Sequence, residues 1–384
     1  MNPTLDDRSR RGFLRQFGMG AVGAAVFAAG RAPAAPAGSA DVKDAAQREP
    51  GKPASDRKVR LAIVGHGVCG FGASLGFQHH PNVEIVAVSD LVAERREALM
   101  KICACEKSYE SLEVLVKDPA IEAVCVATDA PSHARHCMDV MNHGKHCITA
   151  VPAAMTLDDC QAVKETKEKT GLKYMMAETS YYHGEVIRSR NLYRLGQKLL
   201  YTEGHYYHHG VTRLGSWKNW RRALPPMYYP THSTAYYVGV SGKRLTQVSC
   251  LGYRGTDEEW QKNDWDNNPF VNESALFRTS EETMCRINVF WWGAASGESG
   301  SWIWETQPTA QVPDTVPLPP SVPRGGHGGS HGPLANEFVM AILEGREPAV
   351  DVYEALAMTA PGIVAHQSAL KGGAQLPVPA FDKP

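Results

Sequence analysis

The stretch from Val59 to Asp90 constrains the fold of this chain more than any other part of its sequence. An apolar segment suited to a buried strand leads into Gly65, Gly67 and Gly70, which stand in the G-x-G-x-x-G spacing of a dinucleotide-binding turn. These glycines allow a tight turn, the close approach of a pyrophosphate and the packing of the next helix on the strand. The sequence therefore predicts a strand–turn–helix unit whose helix N-terminus offers N–H groups to phosphates.

The residues after the turn extend this prediction. Val68, Phe71 and Leu75 have the spacing of one face of an amphipathic helix. A second strand then ends at Asp90, whose carboxylate would accept hydrogen bonds from a ribose diol and whose charge would repel a 2′-phosphate. We therefore expect NAD rather than NADP as the cofactor. The cofactor-binding residues predicted from this unit are Gly65, His66, Gly67, Val68, Cys69, Gly70 and Asp90.

The N-terminus predicts export. Residues 9–15 read SRRGFLR, with the paired arginines of a twin-arginine signal, and an apolar run at 17–30 and Ala-x-Ala sites follow. The run is too short and too rich in glycine and alanine for a membrane span. We expect a signal peptide at 1–37, a linker at 38–57, and a periplasmic or otherwise exported mature protein without membrane attachment. Because the twin-arginine machinery moves folded proteins, this passenger would load its nucleotide before export.

Composition argues against some partners and ligands. A net charge of −1 over 384 residues provides no basic surface for nucleic acid. The nine cysteines are scattered, several of them within apolar segments, which is typical of small buried residues. Cys103 and Cys105 form a close pair, but no second pair follows at the spacing of a zinc site. We therefore predict no metal site and no nucleic-acid partner.

The pattern of the chain changes near residue 178. From 58 to 178, apolar strands alternate with helical segments, which is typical of a doubly wound parallel sheet. From 179 to 384, aromatic and turn residues are dense, and strand-like runs indicate a largely antiparallel sheet. The predicted fold is α/β, with a nucleotide-binding domain at 58–178 and a substrate-binding α/β domain at 179–384. The predicted elements include helices at 91–103, 132–143, 157–170, 333–343 and 352–370 and strands at 123–127, 146–149, 173–177, 199–209, 246–252, 274–278 and 284–291.

Further motifs in the first domain resemble a known family. After the glycine turn, residues 128–133 (TDAPSH), 144–146 (GKH) and 151–156 (VPAAMT) are similar to motifs of the Gfo/Idh/MocA family. The resemblance implies an N-terminal Rossmann domain followed by an α/β domain with an open antiparallel sheet. It also implies oxidation or reduction of sugars and cyclitols with NAD(H) or NADP(H). By resemblance, Thr128, His133 and Pro152 join the predicted cofactor-binding residues.

Three motifs beyond the first domain are similar to one branch of that family. Residues 177–182 (AETSYY), 229–232 (YPTH) and 326–329 (GHGG) look like the branch that contains NAD-dependent glycosidases, such as family 109 α-N-acetylgalactosaminidase. Tyr182 and Tyr229 match tyrosines that line the sugar site in that branch. The resemblance also implies an arginine near the substrate, which is Arg221 or its neighbour Arg222.

The chain departs from both groups at Ala150–Val151–Pro152. Most redox members have Glu-Lys-Pro there, and the family 109 glycosidases have Glu-Val-Pro or Glu-Val-Ser. This chain therefore lacks the lysine of one group and the glutamate of the other. Redox members also often carry an aspartate and, four residues later, a catalytic histidine, and His232 and Tyr236 take those two places.

His232 is the predicted acid–base group. Its ordinary pKa lies near neutrality, so it could take a hydroxyl proton as hydride leaves the substrate. Tyr182 would assist, because a phenol can donate a proton or bind a hydroxyl. The predicted substrate-binding residues are Tyr229, Arg221, Tyr236 and His327.

These motifs favour an NAD-dependent oxidoreductase that holds its cofactor tightly and acts on a hydroxyl of a sugar or cyclitol. The alternatives are an NAD-dependent glycosidase of the family 109 type, which works by oxidation and elimination, and a non-catalytic protein that binds sugar or cofactor. In each case we expect a small-molecule carbohydrate as ligand and a homo-oligomer formed through the C-terminal sheet.

Other histidines and the tryptophans have two interpretations each. His205, His208 and His209 could hold a metal, although no carboxylate or cysteine lies at a supporting spacing. His327 and His331 belong to a glycine-rich loop that could border the substrate or simply be flexible. Trp291, Trp292, Trp302 and Trp304 could stack on a sugar ring, but packing in the sheet is the commoner role for such residues.

Overall fold

A computed structural model of the chain describes residues 55–255, 265 and 268–384. The predicted signal peptide and all but the last three residues of the predicted linker lie outside the described residues. Within the described part of the chain, no helix has both the length and the apolar composition that a membrane crossing requires.

The first sheet has six parallel strands in the order β3-β2-β1-β4-β5-β6. Strand order reverses between β1 and β4, which is the switch point where doubly wound sheets bind their ligands. This confirms the predicted parallel sheet. The strands are β1 (Val59–Val64), β2 (Val83–Ser89), β3 (Ser108–Tyr109), β4 (Ala123–Val126), β5 (His146–Thr149) and β6 (Tyr174–Met176). The helices among them are α1 (Phe71–Ser74), α2 (Ala93–Cys103), α3 (Leu112–Leu115), α4 (His133–Asn142) and α5 (Leu157–Thr170).

The predicted amphipathic helix after the glycine turn is wrong in its extent. Helix α1 has a single turn, because Gly76 follows it with a φ of 82°. Val68 lies in the turn before the helix and is 48% exposed, whereas Leu75 is buried. The first turn is held close to the sheet, since a Cβ on Gly72 would lie 2.9 Å from the side chain of Ile63. Val68 is therefore available to a ligand rather than to the core.

The second sheet is mixed, with the strand order β11-β7-β10-β9-β8-β12. Only β7 and β10 pair in parallel, and the other four pairings are antiparallel, which confirms the predicted open, mainly antiparallel sheet. Two of its strands, β11 and β12, were not among the predicted ones. The strands are β7 (Leu199–His208), β8 (Leu245–Tyr253), β9 (Asn272–Thr279), β10 (Met284–Phe290), β11 (Ser296–Trp304) and β12 (Leu376–Pro377).

Two helices of this part of the chain, α6 (Gly184–Arg194) and α7 (Thr231–Ser241), were not predicted either. Every residue of α7 is buried, so its sequence lacks the polar face by which a helix is recognised. The helix lies directly on the sheet: a Cβ on Gly204 would be 2.0 Å from the carbonyl oxygen of Ser233. The start of α7 is thus fixed against strand β7.

The last two helices, α8 (His331–Glu344) and α9 (Val352–Leu370), connect the two sheets. Phe338 of α8 packs edge-on against Phe77, which follows the glycine turn, with ring centroids 6.3 Å apart. On α9, Ser368 accepts a hydrogen bond from the backbone of Cys250 in the second sheet. Near its middle, the Thr359 hydroxyl accepts one from the backbone of Ala153. These contacts hold the two sheets in one compact body.

Candidate active site

A cavity of about 480 Å³ opens at the carboxyl ends of the strands of the first sheet. One wall consists of residues that directly follow β1, β2, β4, β5 and β6, as expected at the ligand-binding edge of a parallel sheet. The opposite wall comes from strand β7, the loop after it, the first turn of α7 and the loop before α8. The residues of this opposite wall include Tyr206, His208, Trp217, Trp220, Arg221, Tyr229, His232 and His327.

The glycine turn has the geometry that a pyrophosphate requires. Gly65 has a φ of 93°, and a Cβ there would lie 2.4 Å from the carbonyl oxygen of Ala127, so only glycine fits. Gly67 also has a positive φ, and a Cβ on it would have no heavy atom within 4 Å. The backbone at Gly67 is therefore open to the cavity. His66, Val68 and Cys69 line the cavity beside it, whereas Gly70 closes the turn by donating its N–H to the carbonyl of His66.

Asp90 is held in place by the backbone around it. Its Oδ2 accepts the N–H of His66 at 2.8 Å, and its Oδ1 accepts the N–H of Val92 at 2.9 Å. Each carboxylate oxygen can accept a further hydrogen bond, and the side chain lines the cavity. The arrangement suits a ribose diol. Leu91 and Arg95 line the same end of the cavity.

The side chain of His133 is buried at the opposite end of this wall. Its Nδ1 lies 2.8 Å from the carbonyl oxygen of Pro152, and its Nε2 lies 3.1 Å from that of Thr128. Burial lowers the pKa of His133, so the ring is neutral and donates at the shorter contact. Thr128 and His133 line the cavity as predicted. Pro152 acts through this carbonyl, and its neighbours Ala150 and Val151 form the cavity wall.

His232 lies in the first turn of α7 and is 4% exposed. Its Nδ1 is 2.9 Å from Oε1 of Glu178, which is fully buried and also accepts the N–H of Ser180. A second carboxylate, that of Glu298 on β11, has its Oε2 3.9 Å from the same Nδ1. The Ser180 hydroxyl donates to that oxygen at 2.6 Å. With Nδ1 engaged by carboxylates, Nε2 of His232 is the nitrogen left to meet a ligand.

These carboxylates change the proton affinity of His232. Burial alone lowers its pKa, but the charges of Glu178 and Glu298 outweigh burial and the nearby Arg221, and the pKa of His232 rises to about 9. The pKa of Glu178 is lowered: burial acts in the opposite direction, but the contact with His232 prevails. The expectation of a near-neutral His232 is therefore wrong. At neutral pH the pair is an imidazolium beside a carboxylate, and such a pair is a proton donor.

Two tyrosine rings flank His232. The ring centroid of Tyr206 lies 4.6 Å from that of His232, and the centroid of Tyr229 lies 5.5 Å away. Burial raises the pKa of both phenols, so both are neutral hydrogen-bonding groups. Trp291 packs edge-on against Tyr206 and donates its indole N–H to the carbonyl of Leu224. Trp291 is thus a packing residue.

Arg221 supplies the positive charge of this wall. Its guanidinium lies 4.3 Å from the ring centroid of Trp220 and 5.8 Å from that of Tyr229. Arg221 therefore lines the cavity as predicted. Its neighbour Arg222 is not among the described residues that line the cavity. A planar cation held between aromatic faces suits recognition of a carboxylate, a phosphate or a polar sugar substituent.

Two of the predicted catalytic and substrate-binding residues lie outside the cavity wall. Tyr182 is buried against Tyr181, and the charge that most affects its hydroxyl is that of Glu337 on α8. Tyr236 lies one helical turn beyond His232, where its hydroxyl is 3.4 Å from Glu185 and its ring packs on Gly300. Neither tyrosine lines the cavity, because the side chain of Tyr182 packs on Tyr181 and that of Tyr236 packs on strand β11.

The histidines of strand β7 are divided by the alternation of the strand. Tyr206 and His208 face the cavity, whereas His205 points to the opposite face, where it contacts Glu203 and Asn288. Among the described residues, no group of three histidine, cysteine or acidic side chains is arranged to hold a metal. His327 lines the cavity, as predicted. Trp302 is a packing residue, because its ring lies against that of Tyr236 and its indole N–H donates to the backbone carbonyl of Tyr236.

Three residues that shape this site, Glu178, Tyr206 and Glu298, were not predicted from the sequence. Glu178 is the second residue after β6, so its place near the carboxyl end of a parallel strand was a usable signal. Tyr206 has the period-two spacing of an inward residue on β7 and could have been found in the same way. Glu298 lies on a strand that the sequence pattern did not reveal, and no local signal indicated it.

Comparisons with known proteins agree with the family resemblance of the sequence motifs. Residues 59–178 match the Gfo/Idh/MocA family, described as an oxidoreductase family with an NAD-binding Rossmann fold. A glycosyl hydrolase family 109 protein from Bacteroides fragilis is 34% identical over 175 residues, which is 42% of this chain and 38% of that protein. An α-N-acetylgalactosaminidase from Shewanella oneidensis is 30% identical over 219 residues, or 50% of this chain and 47% of that protein. The matches thus span less than half the length of these relatives.

The fold as a whole is that of a solved dehydrogenase. The structure of scyllo-inositol dehydrogenase from Lactobacillus casei, with bound NAD(H) and scyllo-inositol, superposes with a TM-score of 0.67. The superposition covers 84% of this chain and 99% of that one, at 14% sequence identity. The likeness extends over both sheets and establishes the two-part architecture.

Proposed function

Residues 59–178 of this chain belong to the Gfo/Idh/MocA family of NAD-binding oxidoreductases, and we propose that the protein is an enzyme that moves hydride between a tightly held NAD and a hydroxyl-bearing carbon of a sugar or cyclitol. The open backbone at Gly67 and the fixed carboxylate of Asp90 fit the pyrophosphate and the ribose of this cofactor. The nicotinamide of such a cofactor accepts or returns a hydride at the substrate carbon.

The pairing of His232 with Glu178, at the wall opposite the glycine turn, carries this proposal. A dehydrogenase needs a group that delivers a proton to the substrate oxygen as hydride arrives at carbon. His232 meets this need because the two carboxylates keep it protonated at neutral pH. Tyr206, Tyr229 and Arg221 surround the same space and would hold the hydroxyl groups or a polar substituent of a ring.

A second candidate function is an NAD-dependent glycosidase. It is favoured by the same proton donor, since an imidazolium can protonate the oxygen of a departing aglycone after transient oxidation of the sugar ring. Ala150 and Val151 line the cavity at the positions where most redox members of the family have glutamate and lysine. A simple dehydrogenase built on this chain would therefore lack those two side chains. The α-N-acetylgalactosaminidase of Shewanella oneidensis is a relative with the matching activity in its name.

One assay separates the candidate functions. The purified protein is mixed with scyllo-inositol, myo-inositol or an aryl α-N-acetylgalactosaminide, and reduced nicotinamide and free aglycone are followed together. Net reduced nicotinamide without aglycone supports the oxidoreductase, and aglycone release without net reduction supports the glycosidase. Tight binding with neither signal supports a non-catalytic binding protein. His232→Gln should abolish either activity, whereas His143→Gln, at the exposed position just after α4, should not.

We also propose that the mature protein is exported by the twin-arginine route and acts in the periplasm or beyond. The SRRGFLR motif and the apolar run after it support this proposal. Outside the cytoplasm no nicotinamide pool would replace a cofactor lost at each turnover, so the nucleotide must stay bound. The mature protein should then purify with nucleotide in near-stoichiometric amount. Protein without nucleotide whose activity rises in proportion to added NAD would contradict this.

For assembly, we propose that two copies associate through the outer face of the second sheet. Leu251, Leu276 and Ile303 are more than 45% exposed on this face, opposite the one on which α7 and α9 pack. Exposed apolar side chains on a broad sheet favour association with a like surface. Light scattering should give the mass of an oligomer, and Leu276→Lys should lower it to that of a monomer. A monomeric wild-type protein would refute this proposal.

A further inference from the structure

A second buried glutamate–histidine pair lies between the second sheet and helix α9. Oε1 of Glu273, on β9, is 2.8 Å from Nδ1 of His366, on α9. The side chain of Glu273 is 0% exposed and that of His366 is 2% exposed. Neither is among the described residues that line the cavity, and neither takes part in the proton transfer proposed for His232. Burial of a carboxylate is costly unless hydrogen bonds compensate for it, so the partners of Glu273 indicate what this side chain holds in place.

The other oxygen of this carboxylate binds the part of the chain that leads into the active site. Oε2 of Glu273 accepts the backbone N–H of Met227 at 2.8 Å. Met227 lies in the single 3₁₀ turn Pro226–Tyr228. Tyr229 directly follows this turn, and His232 lies in the first turn of α7. The carboxylate is therefore attached to the backbone just before two side chains that line the cavity.

The segment from Met227 to His232 has little freedom to absorb a displacement. The N–H of Tyr229 donates to the carbonyl of Pro226 at 3.0 Å, which closes the turn. Pro230 comes next, with a φ fixed by its ring, and α7 begins immediately after it. A shift of the backbone at Met227 should therefore be passed on to Tyr229 and His232.

Helix α9 packs on the same turn. A Cβ on Gly362 of α9 would lie 2.1 Å from the carbonyl oxygen of Met227 and 2.5 Å from the side chain of Pro230. His366 lies four residues after Gly362, on the same face of the helix. Its ring meets that of Tyr228 edge-on, with centroids 5.1 Å apart. The turn is thus held by α9 through backbone and ring contacts and by the second sheet through one carboxylate.

We propose that Glu273 is a positioning residue of the reaction and that His366 keeps its carboxylate in place. Through the backbone of Met227, the pair sets the reach of Tyr229 and His232 towards the bound NAD and the substrate. This inference rests on the proposed function. Proton and hydride transfer depend steeply on geometry, and a misplacement of about 1 Å by a distant residue can cost about a hundredfold in rate.

The two hydrogen bonds of the carboxylate determine which substitutions should matter. A carboxylate accepts at both oxygens, whereas the amide of Glu273→Gln accepts at one position and presents N–H groups at the other. This variant therefore leaves Met227 or His366 without its acceptor. His366→Asn keeps an N–H donor on the atom next to Cγ, as in the imidazole, whereas His366→Leu has no donor. The asparagine variant should preserve the position of the carboxylate, and the leucine variant should not.

The hydrogen bonds can be tested without a substrate. Protein labelled with ¹⁵N and purified with its nucleotide is examined by NMR at pH 7.5, and the His366 ring signals are assigned from their loss in His366→Asn. Because a carboxylate only accepts, we expect a proton on Nδ1 of His366. In Glu273→Gln the shift of this nitrogen should change, and the amide proton of Met227 should exchange faster with solvent. A bare Nδ1 on His366 in the wild-type protein would overturn the proposal.

Reaction kinetics test the positioning role. Reduction of the bound NAD is followed in a single turnover with scyllo-inositol or p-nitrophenyl α-N-acetylgalactosaminide, and rates are expressed per mole of bound nucleotide. Glu273→Gln and His366→Leu should slow the reaction by about tenfold to a hundredfold, and His366→Asn should retain most of the rate. Glu203→Gln is the matched control, because Glu203 also pairs with a histidine of the second sheet, but on the face away from the cavity. It should behave as wild type.

The pH profile separates positioning from a change of charge and from a loss of stability. Because Glu178 remains beside His232, the alkaline limb should stay near pH 9 in Glu273→Gln, while the rate falls at every pH. A merely structural role would lower Tm and leave the rate per loaded protein unchanged. That result, or an alkaline limb displaced from that of the wild type, would contradict the proposal. If Glu273→Gln fails to fold, the comparison of His366→Asn with His366→Leu decides in the same way.

The positioning role and the proposed function fail differently. If the wild-type protein reduces its NAD and both Glu273→Gln and His366→Leu do so equally fast, the positioning role is refuted and the proposed function stands. If the wild-type protein reacts with none of these compounds, the proposed function is refuted. The positioning role is then refuted with it, and only the hydrogen bonds of the buried pair remain.

Discussion

Glu178→Gln should convert His232 from an imidazolium to a neutral imidazole near neutral pH. Glutamine preserves the shape of the side chain, and its carbonyl oxygen can still accept the Nδ1–H of His232, so only the charge is removed. Glu178 is fully buried and provides the closest carboxylate contact, at 2.9 Å against 3.9 Å for Glu298. Its loss should therefore remove most of the stabilisation of the charged ring.

The size of the effect follows from the pKa of His232. Its rise from the ordinary 6.5 to about 9 corresponds to about 3 kcal/mol in favour of the imidazolium. Without Glu178, burial favours the neutral ring, and the pKa should return to 6.5 or below. At pH 7.5 the protonated fraction would then fall from about 97% to about 10% or less. A step that needs the proton of His232 should slow by about tenfold at this pH and recover on acidification.

The measurement is an NMR pH titration of ¹⁵N-labelled His232, together with the pH dependence of the hydride-return step. In wild-type protein the alkaline limb should lie near pH 9, and in Glu178→Gln it should move below pH 7. Glu203→Gln is a matched control, because Glu203 also pairs with a histidine, His205, but on the face of the second sheet away from the cavity. An alkaline limb that stays near pH 9 in Glu178→Gln would refute the dyad.

Three further predictions concern the cofactor site, the glycine turn and stability. Asp90→Ala should lose the preference for NAD over NADP in titrations of nucleotide-free protein, and wild-type protein that binds NADP as tightly as NAD would contradict the assignment. Gly65→Ala should lower Tm and weaken nucleotide binding, because the new Cβ would lie 2.4 Å from a carbonyl oxygen. Gly171→Ala is the matched control: Gly171 also has a positive φ, but a Cβ there would have no heavy atom within 4 Å. This control should cost only about 1–2 kcal/mol in unfolding free energy. The raised pKa of His232 stabilises the fold fully below pH 6.5, and this contribution, about 3 kcal/mol, should disappear as pH rises through about 9. Denaturant unfolding should reveal this loss in wild-type protein and not in His232→Gln, and parallel pH dependences would rule it out.

Local sequence signals were sufficient for five of the six strands of the first sheet, all but the two-residue β3, and for the helices with defined ends. Helix α5 was predicted and found at residues 157–170, because Thr156 caps its N-terminus and Gly171, in the left-handed conformation, ends it. Helix α9 was equally well defined by Asp351, whose carboxylate accepts the free N–H groups of Tyr353 and Glu354 in the first turn. The glycine turn and Asp90 were also predictable from local sequence signals, because backbone conformation and the order of strands follow from neighbouring residues.

Helix α7 and the true length of α1 required the tertiary structure. Helix α7 is buried on all sides between the second sheet and its neighbours, so no polar face marks it in the sequence. Helix α1 is cut short by the left-handed Gly76 and by its close contact with the first sheet, which overrides the apolar spacing of Val68, Phe71 and Leu75. Where packing determines an element, periodicity of the sequence is a poor guide.

The chemistry of the site depended most on the tertiary structure. The sequence by itself identified His232, Tyr229, Arg221 and the cofactor turn as a set of groups suited to NAD and a sugar. It could not supply the charge of His232, because Glu178, two residues after the last strand of the first sheet, and Glu298, on β11 of the second sheet, reach it from distant parts of the chain. The same holds for the contact between His327 and His331, because the ring of His331 in turn meets the carbonyl oxygen of Ser74, 257 residues earlier in the chain. Burial and the distance between charges determine proton affinity, and both are properties of the folded molecule rather than of neighbouring residues.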